Sequence, residues 1–212
     1  MRKDLKDIDQ SLRNDVLETQ EEYADLFGMD PYDAGLFFWG CIYEQIIDVF
    51  GSPDFAEYVM HDLILSVLGD DRICEDLQSD FAKHRIDRMK EDLTVDEALE
   101  DFGRMTKRVV IAGRIDMIRA MKEMLFRHEK AVRGIQKVLD KMLKKPGYIE
   151  LFREFLPECR YDREYCEEIV SRIIKTVNKR LSEYRKIIRK AAGIVGTAMD
   201  IEIERGRSYG FE

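Results

Sequence analysis

The chain has two asparagines, Asn14 and Asn178, four prolines and three histidines. It also has no stretch approaching the ~18 uninterrupted apolar residues of a membrane-spanning helix. Met1 to Asp7 holds no apolar core of the kind a signal peptide needs, so the expected location is cytoplasmic, with no membrane partner. The four cysteines, Cys41, Cys74, Cys159 and Cys166, make no CxxC pair, which argues against a zinc site. Buried thiols are their expected state, and a disulfide between Cys159 and Cys166 is the alternative. There is no phosphate-cradling glycine loop, no G-x-S-x-G and no cysteine with a nearby histidine. Few asparagines beside abundant charge is the direction thermophile compositions take, whereas ten methionines and four cysteines point the other way.

What is present is charge, and it is unevenly placed. Residues 1–100 carry 9 Lys+Arg against 26 Asp+Glu, a net of −17, and residues 101–212 carry 26 against 17, a net of +9. Such a split points to an anionic partner for the basic half, or to the two halves meeting each other. At 45% apolar the chain is too hydrophobic to stay disordered and has length enough to bury a core without staples.

The periodicity predicts an all-α fold. Leu5, Ile8, Leu12, Val16, Tyr23 and Leu26 line a first helix from Lys3 to Phe27, ended by Gly28. Asp30-Pro31 and Ser52-Pro53 pair a helix cap with proline at the first helical position. The first opens a helix to Phe50 that is apolar on nearly every side and belongs in the core. The second opens a helix through Phe55, Val59, Leu63 and Val67 to Gly69. Asp70 or Asp71 caps a fourth, carried by Ile73, Leu77, Phe81, Ile86 and Met89.

Thr94-Val95-Asp96-Glu97 reads as a capping box, opening a helix to Lys145 with a break near Gly103. Ile111, Ile118, Leu125, Val132 and Leu139 recur every seven residues, with Met121, His128, Ile135 and Met142 three further on. After Lys145-Pro146, a short apolar helix covers Tyr148 to Leu156. Asp162 caps a last helix to Glu204, whose seam is Val170, Val177, Tyr184, Ala191 and Ala198. Each long helix spans about 42 residues, or ~63 Å, and the short connection makes them antiparallel. That register sets Ala191, Ala192, Gly193, Gly196 and Ala198 against Ala112 and Gly113. The expected organisation is an acidic helical head at 1–93, a long helix pair with a basic surface at 94–205, and a flexible tail at 206–212.

Catalytic constellations remain incomplete. His61-Asp62 is the dipeptide of one class of helical metal phosphohydrolases, but His61 is the first histidine in the sequence and the upstream ligand is missing. Glu57 and His61 do not have the Glu-x-x-His spacing of di-iron bundles. Glu44, Asp48, Asp62, Asp70 and Asp71 suit Mg²⁺ in type, yet 26 acidic residues in the first hundred produce such spacings by chance. The run Asp70 to Asp76 sits where a helix dipole favours acids without further function. His128, on an apolar seam, is expected to be a hydrogen-bonded core histidine.

The candidate site is a basic stripe. Arg172, Lys175, Lys179, Lys186 and Lys190 fall opposite the apolar seam of the last helix and cover ~27 Å. Arg119, Lys130, Lys137 and Lys141 on the other long helix widen it, and Glu183 is its acidic interruption. Aromatics are not interleaved with the stripe, so base stacking is not suggested by it. The expected function is a non-enzymatic interaction or regulatory module. Its basic helix surface would meet an anionic partner, protein or nucleic acid, with no cofactor, metal or catalytic residue. The alternative is a Mg²⁺-dependent enzyme acting on phosphate esters or nucleotides through carboxylates of the acidic head. A third reading is a self-assembling structural protein, a homo-oligomer joining acidic to basic halves.

Overall fold

The computed structural model of the chain describes residues 10–70, 72–73, 77 and 95–208. Among these the structure is all-α, with no strand. Helices α1 (Gln10–Phe27), α2 (Pro31–Ile46) and α3 (Pro53–Leu68) precede the undescribed segment. Helices α4 (Val95–Ile111), α5 (Ile115–Leu143), α6 (Pro146–Phe155) and α7 (Arg163–Ser208) follow it. The fourth predicted helix at Phe81, Ile86 and Met89, the capping residue Thr94, Cys74, and the apolar positions Leu5 and Ile8 lie outside the described residues. So does the proposed boundary at 93/94.

The capping chemistry is as the sequence predicts. The Asp30 side chain accepts from the Tyr32 amide at 2.8 Å and Ser52 Oγ from the Phe55 amide at 3.3 Å, with Pro31 and Pro53 opening their helices. Asp162 Oδ1 accepts from the Tyr165 amide at 3.0 Å and starts α7. Helix α2 ends earlier than Phe50, at Ile46, and a single 3₁₀ turn, Ile47–Val49, completes the distance.

Phe38, Trp39, Ile42 and Ile46 of α2 are fully buried, each contributing roughly 1.5–3 kcal/mol of apolar burial. They belong to one continuous core with Val16 of α1, Leu63 of α3, Val132 of α5 and Leu181 of α7. Phe152 of α6 closes its end, its ring 4.3 Å from that of Phe55.

Helices α5 and α7 run antiparallel, because Glu129 meets Arg185 while Gln136 meets Asn178 and Ser182. The seams at Ile118, Leu125, Val132 and Leu139 and at Val170, Val177, Ala191 and Ala198 are buried; Tyr184 is half-buried.

Two expectations require correction. The first long helix breaks at Ala112–Arg114 rather than near Gly103. The Gly113 amide bonds to Val110 O at 2.8 Å and the Arg114 amide to Val109 O at 3.2 Å, the paired bonds of a Schellman stop. Gly113 supplies the left-handed residue at φ +70°. Ile111, in register with the seam, therefore stands 79% exposed. Beyond the break α4 packs against α7, where Gly103 faces Ile194. The second correction concerns the small residues. Ala112 and Gly113 are exposed, and a Cβ on Gly193 or Gly196 would meet nothing within 4 Å, so no close backbone contact exists there. The close approach is elsewhere: a Cβ on Gly134 of α5 would collide with Leu12 of α1.

Candidate anion-binding surface

Arg172, Lys175, Lys179, Lys186 and Lys190 are all exposed along the outer face of α7, opposite the buried Val177, Leu181 and Ile188. Between residues 169 and 199 the helix carries eight basic residues and one acidic one. The five are not equivalent. Arg172 is bonded to Glu168 at 3.0 Å and Lys179 approaches Glu183 at 3.9 Å, one helical turn away in each case. Lys175, Lys186 and Lys190 have no ion-pair partner among the described residues.

The outer face of α5 adds a second basic row. Arg119, Lys122, Lys130, Arg133, Lys137, Lys141 and Lys144 lie three or four residues apart, save for Phe126 in place of a cation between Lys122 and Lys130, and are exposed. Arg119, Lys130, Lys137 and Lys141 are the four expected from sequence to widen the stripe. Lys122, Arg133 and Lys144 complete the row, and the three-four spacing of basic residues opposite the seam was the signal for them. Phe126 lies within the row and is 68% exposed.

The acidic half supplies part of the balance internally. Lys130 Nζ lies 2.7 Å from Asp15 of α1, and Arg127 bridges to Glu18 and, at 2.7 Å, to Glu22. Acidic and basic halves thus meet along the α1–α5 contact.

Between α5 and α7 lies a polar cluster built on a buried carboxylate. Glu129 is 8% exposed and accepts from Arg185 Nε and Arg189 Nη2, each at 2.8 Å, with Arg133 at 3.3 Å. Burial alone would raise its carboxyl, but the Arg185 bonds and charge, with Arg189 and Arg133, bring it below the usual carboxylate range. One carboxylate against three guanidiniums leaves the cluster cationic. Next to it, His128 Nδ1 lies 2.8 Å from Tyr23 Oη and its Nε2 3.2 Å from Tyr184 Oη. Complete burial lowers His128 to about 3 and keeps the ring neutral, so one nitrogen donates and the other accepts. It is the hydrogen-bonded core histidine expected.

Among the described residues the carboxylates of the first helices form no group of three. Asp62 accepts from the Tyr148 hydroxyl, and among the described residues no three His, Cys, Asp or Glu side chains are grouped to hold a metal. Cys41, Cys159 and Cys166 are buried free thiols; burial, together with Cys166 beside it, pushes the Cys159 thiol up to about 12. No helix among the described residues is long and apolar enough to cross a membrane.

Comparison with protein-family models, curated proteins and solved structures finds no match for this chain.

Proposed function

We propose that the chain is a non-enzymatic interaction module whose basic α7 face, Arg172, Lys175, Lys179, Lys186 and Lys190, engages an anionic macromolecule. The observation that carries this reading is the exposure of all five on one face, three of them without an internal counter-ion among the described residues. An exposed cation with no internal partner gives up only water and loosely held ions when it meets a phosphate or carboxylate, and releasing those ions is itself favourable. The core needs none of these side chains, so their charge is available for recognition.

The test is charge reversal of Lys175, Lys179 and Lys186 together. Helical circular dichroism and thermal midpoint should be kept, while retention on an anionic matrix and binding to polyanions drop at least ten-fold. Unchanged binding by the folded triple variant overturns the proposal.

A further inference from the structure

We infer that Phe126 and the cations around it on α5 form a base-stacking subsite for single-stranded nucleic acid. The inference goes beyond the anionic-partner reading by adding a contact on α5, and it rests on that reading. The site is an open concavity of about 610 Å³ where α1, α5 and α7 come together. Phe126 presents a largely exposed ring there, and Arg119, Lys122 and Lys130 stand around it.

Three observations select the ligand class. First, a ring 68% exposed is a substantial apolar surface left in water at a position that does not need one. Second, Lys122 and Lys130 lie one turn before and one turn after Phe126, a rise of ~6 Å on each side. Cation, ring and cation in that order put positive charge on both sides of a base stacked on the ring. Third, Phe126 and Met199 are the apolar residues among those lining the concavity, and the other side chains end in charges. An acidic peptide anchored by apolar side chains needs a continuous apolar groove, whereas a base needs one flat face and nearby positive charge.

Asp15 and Glu123 also line the concavity. Asp15 is engaged by Lys130 at 2.7 Å, which holds that ammonium at the rim of the site. The row continues beyond it through Arg133, Lys137, Lys141 and Lys144, along which a strand can run.

The experiment measures fluorescence anisotropy of a labelled twelve-residue oligothymidylate, an abasic strand of equal phosphate count, and a labelled polyglutamate, each with the full chain. Phe126→Ala should weaken the oligothymidylate roughly ten-fold and leave the abasic strand unchanged. Phe126→Trp should retain binding, and the fluorescence of the introduced indole should be quenched by the oligothymidylate and not by the abasic strand. Since the ring is exposed, neither substitution threatens the fold. Equal binding of both strands with no effect of Phe126→Ala overturns the stacking subsite while leaving the anionic-partner reading standing. Binding of polyglutamate without binding of the oligothymidylate does the same in favour of an acidic protein. Binding of none of the three removes both.

Discussion

Arg185 of α7 and Glu129 of α5 meet across the interface between the two longest helices, with Nε 2.8 Å from Oε1 and the side chains 16% and 10% exposed. The pair bridges the antiparallel helices at mid-interface. Removing the carboxylate leaves a guanidinium buried with no counter-charge, so Glu129→Ala should cost about 2–4 kcal/mol by urea unfolding. The lower end reflects the water available to Arg133 and Arg189. Replacing both partners by apolar residues, Glu129→Met with Arg185→Leu, should recover most of that loss. A single variant within ~0.5 kcal/mol of the parent would show that the pair is not a structural determinant.

Titration of His128 should weaken the fold before most carboxylates titrate. An unfolded chain protonates His128 near its ordinary value of 6.5, whereas the folded ring stays neutral down to about 3. Between those values the unfolded state binds the extra proton, so the His128 contribution to stability falls as pH drops, by about 1.5 kcal/mol from pH 6.5 to 5, against an opposite contribution from Glu22, whose carboxyl burial and Glu123 push up to about 7. His128→Gln retains a donor and an acceptor for Tyr23 and Tyr184 without titrating, and should flatten that slope. Urea midpoints measured across pH 5–6.5, above the range where the Glu129 cluster loses its proton balance, check this directly. A slope unchanged in the variant rules out the His128 origin.

The elements were legible where local chemistry decides them. Asp30-Pro31, Ser52-Pro53 and Asp162 each satisfy an orphan amide within three residues, and a heptad of apolar residues marks its buried face without knowledge of a partner. The break at Gly113 was not separable from Gly103 by pattern, since both are lone glycines in helical periodicity; the backbone bonds to Val109 and Val110 distinguish them. Counting the heptad through that break put Ile111 on the wrong side. The α7 stripe follows from angular position alone. The Asp15–Lys130 and Arg127–Glu18 pairs join residues more than a hundred positions apart and depend on how α1 crosses α5, which no local pattern encodes.

That crossing is set by Gly134, over which Leu12 packs. Gly134→Ala gains helix propensity of up to ~1 kcal/mol but overpacks Leu12 at a cost of about 1–3 kcal/mol, for a net loss. Gly196→Ala gains the same propensity with nothing within 4 Å to obstruct the methyl group, so it should raise the thermal midpoint. Opposite signs for the two substitutions are the expected result. Truncating Leu12 to Ala in the Gly134→Ala background should reduce the penalty, because the two positions share one contact.

The internal counter-ions of the stripe set its salt dependence. Each phosphate neutralised on a single strand contributes about 0.7 to the fall of log affinity with log salt. Lys175, Lys186 and Lys190 exchange solvent ions for phosphate, whereas Arg172 and Lys179 must first leave Glu168 and Glu183. The stripe's own share of the slope should therefore be about −2, set by three residues, rather than about −3.5 set by five, with phosphates held on the α5 row adding to it. Glu168→Gln and Glu183→Gln together free both cations at exposed positions where carboxylate loss costs little stability. The double variant should bind an oligonucleotide more tightly at low salt and show a steeper slope, with an unchanged thermal midpoint. An identical slope in parent and variant means that Arg172 and Lys179 take no part in binding and that the contact lies elsewhere on the basic surface.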